Sequence, residues 1–228
     1  MVSQKGGVGK STLAVSLGCE FMHRGHRVLI VDGDEQATAR KAVGLGTASG
    51  REMPSCIGMG ADMHRPNQLP LVSQNFDIVL IDTPGKLSQV SRAALVVSHL
   101  ALIPIGQSAA DVWTVKETVA LIEEAKAFLS DLTVSVVLTR IKPQTNTGKA
   151  ARKMLTDCGL SVMARDVADR VQWQECLAAG IGVAQYAPKS PAADELRAIA
   201  DEIQALLWQK HERQQQAAAS ALKVVTNG

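Results

Sequence analysis

Eight consecutive residues near the start of the chain, Lys5-Gly6-Gly7-Val8-Gly9-Lys10-Ser11-Thr12, have the types and order best suited to chemistry. Glycines let a backbone curl until successive N–H groups converge on one anion. A lysine closing such a loop reaches β- and γ-phosphates, and an adjacent hydroxyl suits Mg2+. Gly9, Lys10 and Ser11 supply those features, and Thr12 supports the turn. The bland alternative is a glycine-rich turn with incidental lysines. It explains poorly why the loop leads straight into a long helical pattern. The common spacing G-x-x-x-x-G-K-S/T is not met. Gln4 stands where its first glycine would be, and a second lysine, Lys5, is added.

Two apolar runs end in aspartate. Val31-Asp32-Gly33-Asp34-Glu35-Gln36 closes one, and Asp77-Ile78-Val79-Leu80-Ile81-Asp82-Thr83-Pro84-Gly85 contains the other. Carboxylates that leave the C-terminal ends of strands stand where open α/β sheets place their ligands. An aspartate in that position can hold Mg2+ through water, which makes Asp82 a metal candidate. Asp32 and Asp34 could instead cap the next helix, and Asp82 could merely end its strand.

Such groups need a scaffold, and the pattern supplies one. Residues 27–32, 76–82, 100–105, 134–141 and 160–164 read as strands. They lack period-2 alternation, as strands covered on both faces do. Helical patterns at Ser11–Arg24, Ser88–Ser98, Ala110–Leu129 and Thr147–Cys158 alternate with them. The alternation predicts a three-layer α/β sandwich, a mostly parallel central sheet with helices on both faces. Gly44–Pro70 breaks the rhythm and reads as a variable connection. A final helix is expected from Pro191 to about Gln216, with Leu196, Ile199, Ile203, Leu206 and Leu207 on one face. Only Met1–Gln4 precede the loop, so the first strand is short or native residues precede Met1.

The 228 residues are 46% hydrophobic and 20% charged, enough for one domain with a full core, expected over 1–213. The Gln/Ala-rich stretch 214–228 is expected to be a flexible tail. Aromatics are 3%, which argues against base-stacking platforms of the single-strand-binding kind. Cys19, Cys56, Cys158 and Cys176 show no metal-ligand spacing and read as small core hydrophobes. No secretory leader opens the chain and no apolar run approaches a membrane span, so a reducing cytoplasm is expected.

The loop resembles the deviant Walker A motif, x-K-G-G-x-G-K-S/T, of the ParA/MinD family of P-loop ATPases. Asp32–Gln36 is similar to the family's switch I, D-x-D-P-Q, with Glu35 in place of the proline, and Thr83-Pro84-Gly85 resembles switch II. The resemblance extends from Lys5 to about Ala200. It implies a P-loop NTPase fold, ATP and Mg2+ as cofactors, and hydrolysis of ATP to ADP and phosphate. It implies that Gly6, Gly7, Val8, Gly9, Lys10, Ser11 and Thr12 hold the nucleotide. Lys5 would reach the nucleotide of a second subunit, so that ATP closes a sandwich dimer. Asp34 would orient the attacking water. Ser11, Asp32 and Asp82 would serve Mg2+, and Arg140 and Pro188 fall where such proteins contact adenine. No cysteine falls near switch II, which argues against an iron–sulfur ATPase, and Lys5 argues against a metabolic synthetase with a related loop.

ParA-like members bind DNA without sequence preference, whereas MinD-like members bind membranes through a C-terminal amphipathic helix. Charge helps to choose. Residues 140–170 hold seven Lys and Arg against three Asp, a net +4, while the whole chain is +2. A local basic excess is the footprint expected of phosphate contacts. Lys149, Arg152 and Lys153 share one helix face, and with Arg170 they are the candidate DNA contacts. The alternative is an ordinary solvated face. The C-terminus lacks the apolar face a membrane-seeking helix needs. The resulting expectation is a cytoplasmic, nucleoid-associated ATPase with no membrane partner. A ParB-like or other adaptor would stimulate hydrolysis and release the dimer, so distributing a plasmid, a chromosome or a protein compartment.

Overall fold

A computed structural model describes residues 1–86, 88–126, 132–142 and 145–226. The expected helix end at Leu129 and the last two residues of the expected tail lie outside them. The elements in order are α1 (Lys10–His23), β1 (Val28–Asp32), α2 (Thr38–Ala48), β2 (Ser55–Gly58), α3 (Leu69–Val72), β3 (Ile78–Asp82), α4 (Gln89–Val96) and β4 (Leu100–Ile105). Then follow α5 (Ala109–Lys126), β5 (Thr133–Leu138), α6 (Asn146–Asp157), α7 (Gln172–Ala178), α8 (Val183–Tyr186) and α9 (Pro191–Thr226).

All described strand pairs are parallel, in the orders β2-β1-β3 and β4-β5. The opening residues join the two sheets. The Met1 amine donates to Ile81 O at 2.7 Å, and Val2 N donates to Leu102 O at 3.0 Å. Thr83 Oγ1 also donates to Met1 O at 2.8 Å. The phosphate loop therefore leaves the middle of the layer.

Helices cover both faces, as the continuous apolar runs require. Val28 and Ile30 of β1 pack toward α1, α2 and α9, while Leu29 and Val31 pack toward α4 and the 3-10 turn at Met63. Ile30 and Val31 are completely buried, each worth about 1.5–3 kcal/mol relative to exposure. On the second sheet Ile103 and Val136 face α5 and α6, whereas Leu102 and Val137 face α1 and α9. Leu196, Ile199 and Ile203 of α9 enter the core as their spacing predicted.

Three local expectations need correction. Gly44–Pro70 is not an irregular connection, because it contains the end of α2, the strand β2 and the 3-10 turn Ala61–His64. The reading failed because α2 buries small residues, Ala39, Ala42, Val43 and Gly46, and β2 is a half-exposed edge strand. At Gly46 a Cβ would stand 2.2 Å from Gly180 O, so α2 packs against backbone with no room for a larger residue. Residues 160–164 form only a single parallel bridge, Val136 to Val162, rather than a full strand. Helix α9 continues past Gln216 to Thr226. Among the described residues no helix is long and apolar enough to cross a membrane.

Candidate functional site

The loop's conformation explains its glycines. Gly7 and Gly9 take φ of 74° and 91°, the left-handed region that favours glycine. Gly9 is the residue before α1, so the helix N-terminus opens directly onto the loop. Lys10 is buried, and its ammonium donates to Lys5 O at 3.2 Å. Burial pulls its pKa down against the opposing pull of Asp82 and Asp34. Thr139 Oγ1 lies 3.0 Å from both Val8 O and Ile105 O, which fastens the loop to the end of β4.

Asp32 and Asp82 are register partners at the ends of β1 and β3, yet their surroundings differ. Asp32 Oδ1 accepts from Asp34 N at 3.0 Å and Oδ2 from Arg40 N at 2.9 Å. Arg40 Nε stands 3.9 Å away. Asp32 thus shapes the loop that follows it and anchors the first turn of α2. Asp82 is fully buried, and among the described residues no donor meets hydrogen-bond geometry with either of its oxygens. Burial pushes its pKa up to about 6, opposed by the Ser11 hydroxyl, the chain's amino terminus and Lys10. Two orphaned carboxylate oxygens beside a hydroxyl suit a hard cation, which takes oxygen ligands. Asp34 is half-buried, and its Oδ1 accepts from Gln36 N at 2.9 Å. Its charge is felt at Lys10. Ala37 closes this loop at φ 54°, a conformation unusual for alanine.

The segment Thr83-Pro84-Gly85 lies against the loop. A Cβ on Gly85 would stand 2.9 Å from Gly6 Cα, so only glycine permits this approach. Lys5 pairs with Asp111 in the first turn of α5. Asp111 is buried and also accepts from Ser108 N at 3.2 Å and Ser108 Oγ at 2.5 Å. Burial alone would raise its pKa, but Lys5 and Ser108 together hold it below the usual carboxylate range. Sequence reasoning missed Asp111. Its signal was Ser108-x-x-Asp111, a capping pattern at a helix start.

A cleft of about 290 Å3 adjoins the loop. It is lined by Val8, Gly9, Thr12 and Leu13 from the loop and α1, and by Arg140, Ala168, Arg170 and Trp173 from the chain beyond β5. Arg140 therefore reaches the cleft. Pro188 is not among its lining residues, and its carbonyl accepts from Arg197 Nη2 at 3.0 Å.

The four basic candidates divide. Arg152 donates to Met163 O at 2.8 Å and pairs with Asp166, and Arg170 pairs with Glu195 at 2.9 Å. Both brace their own chain. Lys153 holds an exposed pair with Asp157 at 2.8 Å. Lys149 is exposed and takes part in none of the ion pairs found among the described residues.

A parallel sheet, a glycine loop opening onto a helix and carboxylates at two strand ends define a nucleotide-binding α/β protein of the P-loop kind. The chain belongs to the CobQ/CobB/MinD/ParA nucleotide-binding domain family, whose model matches residues 1–182. It is 28% identical over 203 residues to maintenance of carboxysome distribution protein A of Halothiobacillus neapolitanus, covering 87% of this chain and 92% of that protein. It is 26% identical over 234 residues to the chromosome-partitioning ATPase Soj of Thermus thermophilus, covering 90% and 94%. Among solved structures, apo McdA of Cyanothece superposes with a TM-score of 0.73 at 18% identity, covering 89% of this chain and 97% of that one. The cell division ATPase MinD of Pyrococcus furiosus also gives 0.73, at 20% identity, covering 90% and 97%.

Proposed function

We propose that this chain is a positioning ATPase of the ParA type. ATP closes two copies face to face, the dimer holds DNA without reading its sequence, and a partner-stimulated hydrolysis step releases it. Free energy from ATP would then shift a binding equilibrium rather than build a product. The observation that carries the reading is the split between the two lysines. Lys10 is buried inside the loop, whereas Lys5 leaves its own phosphate site and stands half-exposed on Asp111. A cation so placed is available to a second molecule once that ion pair breaks.

Within one subunit, Gly6 to Thr12 would wrap the phosphates and Lys10 would neutralise their charge. Ser11 and Asp82 fit Mg2+, Asp82 through water, and Asp32 acts by shaping the loop that carries Asp34. When bound, Mg2+ supplies positive charge that balances the phosphates. Asp34 would orient water toward the γ-phosphorus, and the bond to the β-phosphate oxygen would break to leave ADP and phosphate. Arg140 and the cleft beside it would take the base. Lys149 and Lys153 on α6 would lead the contacts to DNA phosphates, with Arg152 and Arg170 mainly holding the face in shape. Relatives named for chromosome partitioning and for carboxysome distribution support a positioning role, with DNA or a protein compartment as cargo.

The test is retention on nonspecific duplex DNA with Mg2+ and ATP or ADP, across a salt series. Retention with ATP alone, weakening as salt rises, is expected, and Lys5→Ala should remove it together with the ATP-dependent dimer. Pelleting with liposomes in place of DNA retention would overturn the reading.

A further inference from the structure

Part of the cleft wall is built by Ala168, Arg170 and Trp173, from the segment that leads into α7. All three are tied to one side chain that does not line the cleft, Glu195 in α9. Its Oε2 accepts from Ala168 N at 3.1 Å and from Trp173 Nε1 at 3.4 Å. Its Oε1 accepts from Arg170 Nε at 2.9 Å, and Arg170 Nη2 stands 2.9 Å from the same oxygen. Glu195 is 8% exposed. A carboxylate at that depth is costly unless its lone pairs are met. Here one cation and two neutral donors meet them from three directions.

The segment that carries these donors is also held by apolar packing, because Val167, Trp173 and Cys176 belong to the core built around α1 and α9. Helix α7 begins only at Gln172. Before it, an isolated bridge from Ile141 to Ala168 and the backbone bonds from Val167 N to Leu138 O at 2.8 Å, Ile141 N to Val167 O at 3.1 Å and Asp169 N to Ile141 O at 2.8 Å tie the segment to the sheet. Within that packing the Glu195 carboxylate fixes the polar groups of the wall, the Ala168 amide, the Arg170 guanidinium and the Trp173 indole N–H. Trp173, itself 8% exposed, presents a flat apolar ring whose single polar atom is already bonded to that carboxylate.

We infer that Glu195 is a positioning residue for the base of the nucleotide, holding the Ala168–Trp173 wall from outside the cleft. The inference rests on reading the cleft as the base site of an ATP-binding subunit. It separates two halves of one ligand. The phosphates meet the loop and Lys10, which Glu195 does not touch, whereas the base meets the wall that Glu195 holds.

Binding of Mg-ATP and of inorganic tripolyphosphate with Mg2+ to the full chain, by titration calorimetry, separates the halves. Wild type should prefer ATP. Glu195→Gln should weaken ATP roughly tenfold, the scale of one lost charge-assisted hydrogen bond, and leave tripolyphosphate unchanged. Trp173→Phe keeps a ring and removes the indole donor, so it should shift ATP the same way by about threefold. In a Trp113→Phe/Trp208→Phe background the remaining indole emission should respond to ATP and not to tripolyphosphate, and Glu195→Gln should blunt that response. If both variants keep the wild-type ratio of ATP to tripolyphosphate, or lose both ligands equally, the inference is overturned. If wild type itself binds the two ligands alike, the base-site reading fails first and takes the inference with it.

Discussion

The phosphate end and the basic face of this chain were read from the same sequence, but they came out differently. At the phosphate end the residues that spacing singled out on the loop and at the two strand ends stand close together, except that the Lys5 side chain pairs with Asp111. Lys10 lies within reach of Asp34 and Asp82, and Asp32 and Asp82 are direct register partners. On the basic face, two of the four candidates turn inward to Asp166 and Glu195. The difference is one of encoding. Backbone fixes the phosphate end, through glycines at positive φ and strands that end together, so sequence spacing converts directly into distance. A helix face fixes only a direction. An arginine there can choose water, a ligand, or a carboxylate 14 or 25 residues away that no helical period reveals.

The largest effect that could break this contrast is expected at the backbone-encoded end. Lys10→Ala removes the one buried ammonium of the loop, and nucleotide affinity should fall at least about a hundredfold with the fold intact. Calorimetry with Mg-ADP checks this; affinity within a few-fold of wild type would mean that the loop does not hold phosphate.

The basic face yields the next test. Arg170→Glu places two carboxylates together and strips Glu195 of its cation, at a cost of about 2–4 kcal/mol that should appear as a lower Tm. Lys149→Glu reverses charge on an exposed side chain that forms no ion pair among the described residues. It should leave Tm within about a degree of wild type and reduce DNA retention. Opposite results, a stable Arg170 variant that loses DNA and a silent Lys149 variant, would return Arg170 to the interface and erase the contrast drawn above.

Much of the fold was legible because buried parallel strands leave unbroken apolar runs, and five such runs fall on or beside the sheet. The edge was not legible. β2 is a short, half-exposed strand that among the described strands pairs with β1 alone, so Ser55-Cys56-Ile57-Gly58 carries no strong signature. Helix α2 was hidden because its packing face is made of alanine and glycine, which close approach to Gly180 demands. Within the site, the loop and both carboxylate motifs were legible as local patterns. The partners that tune them, Asp111 for Lys5 and Glu195 for Arg170, lie 106 and 25 residues away in the chain and belong to tertiary structure alone.

The cysteines sharpen the same division at smaller scale. Cys19 and Cys176 lie in the core around α1 and α7, and burial pushes their thiols up to about 12 and about 11. Half-buried Cys56 is also pushed up to about 12, first by burial and then by Asp32. Cys158, at the end of α6 on the basic side, is exposed. A thiol reagent at pH 8 should therefore modify one cysteine quickly in the native protein and the other three only on unfolding. Fast reaction of two or more would show that the layers around α1 open readily.

The smallest expected effect lies at the opposite ends of the strands that carry Asp32 and Asp82. There Asp77 Oδ2 accepts from Arg27 N at 2.8 Å and Nε at 3.2 Å, and Oδ1 accepts from Nη2 at 2.7 Å. Those hydrogen bonds, side chain first, pull the Asp77 carboxyl from 3.8 down to about 2. A carboxyl more acidic in the folded than in the unfolded chain stabilises the fold in its ionised form. Its contribution is whole above about pH 4 and disappears as pH falls through about 2. Both side chains are well exposed, so salt screens the pair and the effect stays small. Asp77→Asn should lower Tm slightly at pH 7, less so in 1 M salt, and the gap should close between about pH 4 and pH 2. A gap that survives at pH 2 would mean that Asp77 acts through neutral hydrogen bonds that join β1 and β3, and that its charge contributes nothing to keeping Asp32 and Asp82 in register.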